Sequence, residues 1–301
     1  MDSAKVLGGG VVSYVTGTGF IPQILLTIVF FIALQIIMNI IQFIIDTVRN
    51  MSRQVVPLQP NTVTGSYVIG QSPLLPKQIF NSNNELNGLE YSYSLFVFVA
   101  PETFDASSNQ PIMTQCGPAG KDASAGNKLR HVFHKGSKAL FPLMSPGVFL
   151  EGDKNTMRVY MNSTTTWNNY VSVPNIPIAK WFHLVITMRG KFMDVYVNGN
   201  VSARQQFSTV PKLNVGNVYI MSPQQFPITN NPNVTPDFLV SGPMRGFVSG
   251  LTYYSYALTY SQIEDIYRRG PSPVIINPVA GSSFTGTIPP YLHDDWWVTK
   301  Y

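Results

Sequence analysis

The sequence predicts an all-β domain, an antiparallel sandwich, preceded by one membrane-spanning helix. Three observations predict it. The run from Phe20 to Ile45 contains no charged residue and is dense in Ile, Leu, Val and Phe. From Leu89 onward, short alternating apolar segments recur between Gly- and Asn-rich turns. A single late segment, "TYSQIEDIYRRG" (259–270), carries helical end signals. Many short strands at regular spacing with one late helix are the pattern of a sandwich.

Residues 1–19, with Gly8, Gly9, Gly10, Gly17 and Gly19, read as a flexible N-terminal segment. The transmembrane helix is expected over 20–48. Twenty-six helical residues reach about 39 Å, enough to cross a hydrocarbon core of about 30 Å with tilt. A soluble core helix would show polar interruptions within seven turns. A cleavable signal peptide would have a basic start, a shorter apolar stretch and a small-residue cleavage site. Gln35, Asn39 and Gln42 fall at i, i+4 and i+7 on one face, with Asp46 continuing the row. Amides in lipid seek partners, so this stripe points to helix–helix contact in the membrane, self- or hetero-association, rather than a span that merely tolerates a few amides. Arg49 and Arg53 flank the far end, while Lys5 near the start is offset by Asp2. The positive-inside rule then puts the large C-terminal part on the cytosolic side. One cysteine, Cys116, leaves no internal disulfide, in keeping with that compartment. Sequons at Asn50, Asn162, Asn200 and Asn233 matter only in a lumenal domain.

Residues 49–87, rich in Pro and Asn, read as an extended linker with short strands at most. The sandwich is expected over 88–270. "YSYSLFVFV" (91–99) alternates and then turns apolar on both faces. "HVFHKGS" (131–137), "GVFLEGD" (147–153) and "TMRVYMN" (156–162) follow as strands. "WFHLVITMRGKFMDVYVNGNVSARQQF" (181–207) is a hairpin whose Asn198-Gly199 marks a type I′ turn into a third strand. "NVYIM" (217–221) and "RGFVSGLTYYSYAL" (245–258) complete the set. In the helix, Ser261 is expected as cap with Glu264 closing a capping box, and Gly270 as terminator. Residues 271–301, with five prolines, are expected to run as an extended C-terminal arm. Trp296 and Trp297, costly to leave in water, are expected to pack on the domain's own surface, on a neighbour or at the bilayer interface, which makes the arm a candidate docking tail.

The Trp-x-His strand start at 181–183, the Tyr-x-Asn-Gly hairpin at 196–199 and "YALTYSQIEDIY" (256–267) together resemble the laminin-G-like, concanavalin A-type jelly roll. The resemblance covers about residues 88 to 270. It implies the fold, which hosts lectins, adhesion modules, glycosidases and capsid proteins alike. Trp181 and Tyr196 are then packing residues, and His183 is expected to satisfy a neighbouring backbone group.

Site chemistry is sparse. A glycosidase of this fold needs paired carboxylates projecting from one strand. Glu151-Gly152-Asp153 lacks a third acid, and Glu264 and Asp265 are adjacent on the expected helix and diverge. Catalysis is therefore not expected. Asp153, Asp194 and Asp237 are too scattered for calcium, and four histidines lack zinc spacing. No cofactor is expected. The loop "TTTWNNY" offers Trp167, Asn168, Asn169 and Tyr170 as a possible ligand or partner surface. The basic stretch from Lys121 to Lys138 reads as a solvated loop and strand rim.

Charged residues make up only 12% and net charge is +5, diffuse, so no nucleic-acid partner is indicated. A surface rich in Asn, Ser, Thr and Tyr suits packing against neighbours or handling sugars. Anchor, disulfide-free sandwich and extended arms resemble the membrane-tethered, concanavalin-like minor capsid proteins of large double-stranded DNA viruses of algae. That resemblance implies a structural virion protein linking an internal membrane to the protein shell. Its β-domain would face the capsid, on the topologically cytosolic side, and its partners would be the lipid bilayer and other shell proteins. The alternative is a membrane-anchored lectin, exposed on a surface and binding glycan.

Overall fold

The computed structural model describes residues 20–71, 77–80, 84–85, 88–104, 128–167, 169–223, 225–226, 238–277 and 282–284. The expectations for 1–19, Asn168, Trp296 and Trp297 lie outside them. The chain divides into two compact units, Met1–Arg53 and Gln54–Tyr301, described here one at a time.

The first unit is the helix α1 (Phe20–Ser52). Within it, Gln23–Val48 is long and apolar enough to cross a membrane. Ile, Leu, Val and Phe side chains along that stretch are exposed, as are Gln35, Asn39 and Gln42. Thr27 and Thr47 donate back to the carbonyls of Gln23 and Phe43 at 2.8 and 2.7 Å. A hydroxyl satisfied inside its own helix needs no water. Arg49 lies in the last turn and Arg53 just beyond.

The second unit opens with β1 (Val55–Gln59), β2 (Thr62–Val63), β3 (Tyr67–Ile69), β4 (Asn84–Glu85) and β5 (Gly88–Val99). Next come β6 (Lys128–Gly136), β7 (Met144–Glu151), β8 (Thr156–Met161), β9 (Asn169–Pro174) and β10 (Trp181–Arg189). Then follow β11 (Phe192–Val197), β12 (Asn200–Gln206), β13 (Asn217–Ile220), β14 (Gln225–Phe226) and β15 (Leu239–Pro243). The described part ends with β16 (Gly246–Tyr254), α2 (Tyr260–Arg269), β17 (Ile275–Asn277) and β18 (Ser282–Phe284).

Two sheets result. The larger runs β12-β11-β10-β5-β16-β2-β17-β18, with β1 also on β16. The smaller runs β14-β15-β6-β7-β8-β9, with β13 joining β6 to β3. Pairing is antiparallel except β15 with β6 and β17 with β2. Period-two alternation builds the core between the sheets. Tyr93, Leu95 and Val97 of β5 and Phe182, Leu184 and Ile186 of β10 meet Phe133, Val148, Leu150 and Val159 from the smaller sheet. β5 is apolar on both faces because Phe96 and Phe98 are covered from outside as well.

Asn198 and Gly199 have φ of 50° and 80°, the two positive values that a type I′ turn requires. One expectation is corrected and another extended. The short strands within 49–87 belong to the sandwich. β1 buries Val56 and Leu58 while exposing Val55 and Pro57, and β2 and β3 add Val63 and Ile69 to the core. Pro57 is tolerated because β1 pairs on one side only among the described residues. The cap of α2 is Thr259, not Ser261. Thr259 accepts from the Gln262 backbone N–H, and the Gln262 side chain accepts from the Thr259 N–H. Packing sets this register: buried Leu258 and Ile263 flank the cap as a staple and sit in one cluster under the helix.

Candidate functional site

Three places on the second unit carry chemistry, two on the outer faces of the sheets and one at an edge. On the smaller sheet, Phe149 and Tyr160 point outward from β7 and β8. Phe238 stands edge-on to both, at 5.5 and 5.1 Å between ring centroids. Trp167 packs edge-on against Phe238 at 5.0 Å and is only 8% exposed. The "TTTWNNY" loop therefore turns its indole inward and does not present it to a ligand. Asn162 explains why: its side chain accepts from Met144 N–H and donates to the Trp167 carbonyl. Those contacts also bury the Asn162 sequon. Asn169 and Tyr170 remain half-buried, Asn169 donating to Ser163 Oγ at 3.0 Å. Arg158 binds Glu151 at 2.5 Å and lies 4.8 Å over the Tyr170 ring. The glutamate of the Glu-Gly-Asp run is thus consumed by a buried ion pair.

Beside this cluster lies an arrangement that the sequence did not reveal. His131 Nε2 and His134 Nδ1 are 2.6 Å apart. His131 Nδ1 accepts from Ser222 N–H at 3.0 Å, and His134 Nε2 reaches the Ser137 carbonyl at 3.0 Å. A carbonyl can only accept, so His134 carries its proton on Nε2. A backbone N–H can only donate, so His131 Nδ1 is bare and Nε2 holds the proton. The chain of bonds is satisfied only when both rings are neutral. Burial, together with the partner ring, holds His131 well below its ordinary range, and burial pushes His134 down to about 4. Residues three apart on a regular strand face opposite ways. A bulge between His131 and Phe133 returns His134 to the face of His131, leaving Val132 and Phe133 in the core. The expected solvated basic rim is therefore wrong for β6: Lys128, Arg130, His131, His134 and Lys135 are all buried. Lys135 is lowered to about 8 by burial and donates to the Asn214 backbone carbonyl and side chain.

The outer face of the larger sheet is covered by α2. Ile263, Ile266 and Tyr267 pack on Val185, Tyr196, Phe96 and Trp181. His183 is sandwiched between Phe96 and Tyr267, with ring centroids at 4.7 and 6.1 Å. Its Nε2 meets the Ser94 hydroxyl at 2.8 Å, a side chain rather than the expected backbone group. Burial lowers it to about 3, with Arg269 adding to the effect. Its Nδ1 has no hydrogen-bond partner among the described residues.

The third place is a groove of about 550 Å³ at the β10–β11 turn. Leu89 and Val210 give it apolar walls, and Phe192, 43% exposed, stands beside them. Arg189, Lys191 and Arg204 line it against one carboxylate, Asp194. Arg204 holds buried Asp194 in a bidentate pair at 2.5 and 2.9 Å. Arg189 donates to the Leu258 carbonyl and Lys191 to that of Ser208. No cluster of three or more His, Cys, Asp or Glu side chains occurs among the described residues. Gln35, Asn39 and Gln42 belong to the other unit.

A two-sheet antiparallel sandwich with one helix closing an outer face defines the class of lectin-type jelly rolls. The laminin G-type family model described as "Concanavalin A-like lectin/glucanases superfamily" matches residues 79–264. The chain belongs to that family. Solved structures of similar fold include a botulinum neurotoxin serotype D ligand binding domain in complex with N-acetylneuraminic acid. The two share 11% identity over 72% of this chain and 46% of that one, with a TM-score of 0.43. The botulinum neurotoxin type G receptor binding domain is similar at 13% identity, 68% and 47% coverage and a TM-score of 0.39. This chain spans less than half the length of either. No curated protein matches.

Proposed function

We propose that the chain is a single-pass membrane protein whose sandwich is a non-catalytic docking module tying a bilayer to a protein shell. The observation that carries this reading is the closure of both outer faces. In this fold an open sheet face is where a polysaccharide would lie. Here α2 fills one face and the Trp167–Phe238 cluster fills the other. Glu151 and Asp194 are each bound to an arginine, which supports a non-catalytic reading. What remains is an anchor joined in sequence to a rigid body with an edge groove, a design for protein contact. The amide row Gln35, Asn39 and Gln42 adds self-association within the membrane.

In its finer form the protein is of minor capsid type. It stands on an internal virion membrane with the sandwich towards the capsid. Single-cysteine composition and the flanking Arg49 and Arg53 support that side of the bilayer. Cross-linking of the full chain in purified particles or membranes, followed by identification of its neighbours, tests the reading. Cross-links from the sandwich to coat proteins are expected. Absence of coat contacts, together with saturable glycan binding, would overturn it in favour of the lectin alternative.

A further inference from the structure

The polar residues within the span Gln23–Val48 divide by what their side chains do. Thr27 and Thr47 return their hydroxyls to carbonyls of their own helix. The amides of Gln35, Asn39 and Gln42 are exposed and form no hydrogen bond among the described residues. At ~1.5 Å per residue from the middle of the span, they lie at depths of ~1, ~5 and ~10 Å. In a hydrocarbon core of about 30 Å, at least ~10 Å of lipid separates Gln35 and Asn39 from water on either side. An amide left bare there is costly, so these side chains need a partner outside their own helix.

Spacing gives the shape of that partner. Gln35, Asn39, Gln42 and Asp46 follow one another at steps of 4, 3 and 4 residues, and Leu25, Ile28 and Ile32 extend the same alternation towards the N-terminus. A mean period of 3.5 is a heptad seam, which stays against a neighbour when two helices cross at about +20° in a left-handed coil. The self-satisfied Thr27 and Thr47 fall off this seam, and Phe30, Ile37 and Ile44 form the face opposite.

Depth gives its identity. Copies of one chain enter a bilayer in one direction, so each amide meets its own counterpart at the same level. An amide is both donor and acceptor, so like satisfies like at Gln35, Asn39 and Gln42. A neighbour inserted the other way would set Ile32 against Asn39 and Val29 against Gln42. A different protein would have to supply polar groups at three matching depths on one face. Arg49 and Arg53 carry the spacing past the span, so the Asp46 layer is followed by cationic ones. With α1 read as a membrane span, we infer that two copies of this chain pair through it, parallel and in register, along the seam that Leu25 opens and Asp46 closes. Each anchor then carries two sandwiches, and docking of one raises the effective concentration of the other.

The test uses the full chain with Cys116→Ser, kept in membranes isolated from the cells that express it, with one new cysteine at a time. Ile28→Cys and Ile32→Cys lie on the seam; Phe30→Cys, Ile37→Cys and Ile44→Cys lie opposite. Resistance to alkaline carbonate extraction establishes insertion, and a membrane-permeant copper catalyst then oxidises the thiols. A disulfide between equal positions forms only where two copies lie parallel and in register. Dimer is therefore expected from positions 28 and 32 and not from 30, 37 and 44. Asn39→Leu in the Ile32→Cys chain should cut the dimer about threefold, the effect of one interhelical hydrogen bond of average strength. Thr27→Val should leave it unchanged. An inserted chain that gives no dimer, or equal dimer from both faces, would overturn the inference. So would equal losses from Asn39→Leu and Thr27→Val. Extraction by carbonate would overturn the span itself, and the pairing with it.

Discussion

Lowering the pH should unfold the sandwich through its buried histidines, and replacing His134 should flatten that response. An unperturbed histidine titrates near 6.5, whereas His134 in the fold is pushed down to about 4. Above about pH 6.5 the ring is neutral in folded and unfolded chains, and its contribution is complete. As pH falls towards 4, the unfolded chain takes up the proton and the folded one does not, so stability is lost across that window. About 2.5 pH units at ~1.4 kcal/mol each make roughly 3 kcal/mol for His134 alone. His131 and His183 shift in the same direction and add to the same loss. Urea unfolding of the full chain in detergent, followed by tryptophan fluorescence between pH 7.5 and 4.5, measures the slope. His134→Leu removes one titrating group and leaves the His131 Nε2–H and the Ser137 carbonyl without partners. It should cost about 2–4 kcal/mol at pH 7 and reduce the slope by up to one proton. Stability that stays flat from pH 7 to 5 in the native sequence would refute the reasoning. An unchanged slope in the variant would refute the assignment to His134.

Other substitutions probe separate parts of the account. Arg158→Leu strands Glu151 in a buried site and should destabilise by about 3 kcal/mol at pH 7 in the same assay, with part of the loss recovered by adding Glu151→Gln. Thr259→Ala should cost about 1 kcal/mol as loss of the α2 cap, while Ser261→Ala should change stability by less than about half that. Replacing Gln35, Asn39 and Gln42 together by Leu should weaken association of the full chain in vesicles by about 1–2 kcal/mol, read by energy transfer between labelled copies.

Much of the fold was legible because its signals are local. Alternation at 91–99, the Asn-Gly turn and Gly270 each act within a few residues, and the structure uses them where the sequence put them. Non-local events were not legible. The bulge that unites His131 and His134 depends on the pairing of β6 with β7, and nothing in "HVFHKGS" announces it. β1 to β3 looked like linker because each is short and takes its partner from β13 or β16, far along the chain. Thr259 displaced Ser261 because burial of Leu258 and Ile263 fixes where the helix begins. Trp167 looked available because tryptophan in a polar loop says nothing about Asn162, whose amide draws the loop inward. The groove joins residues from four separate stretches, of which only Asp194 had attracted notice.

The side of the membrane on which the sandwich stands is the most direct test of the central claim. Among the sequons in described loops and strands, Asn162 is buried and Asn200 exposed, so Asn200 is the site a lumenal glycosylation machinery would use. Protease protection of the full chain in sealed membranes, with glycosylation scored at Asn200, reads the topology. The account predicts an unglycosylated sandwich accessible from the cytosolic side. A protected sandwich carrying glycan at Asn200 would contradict it.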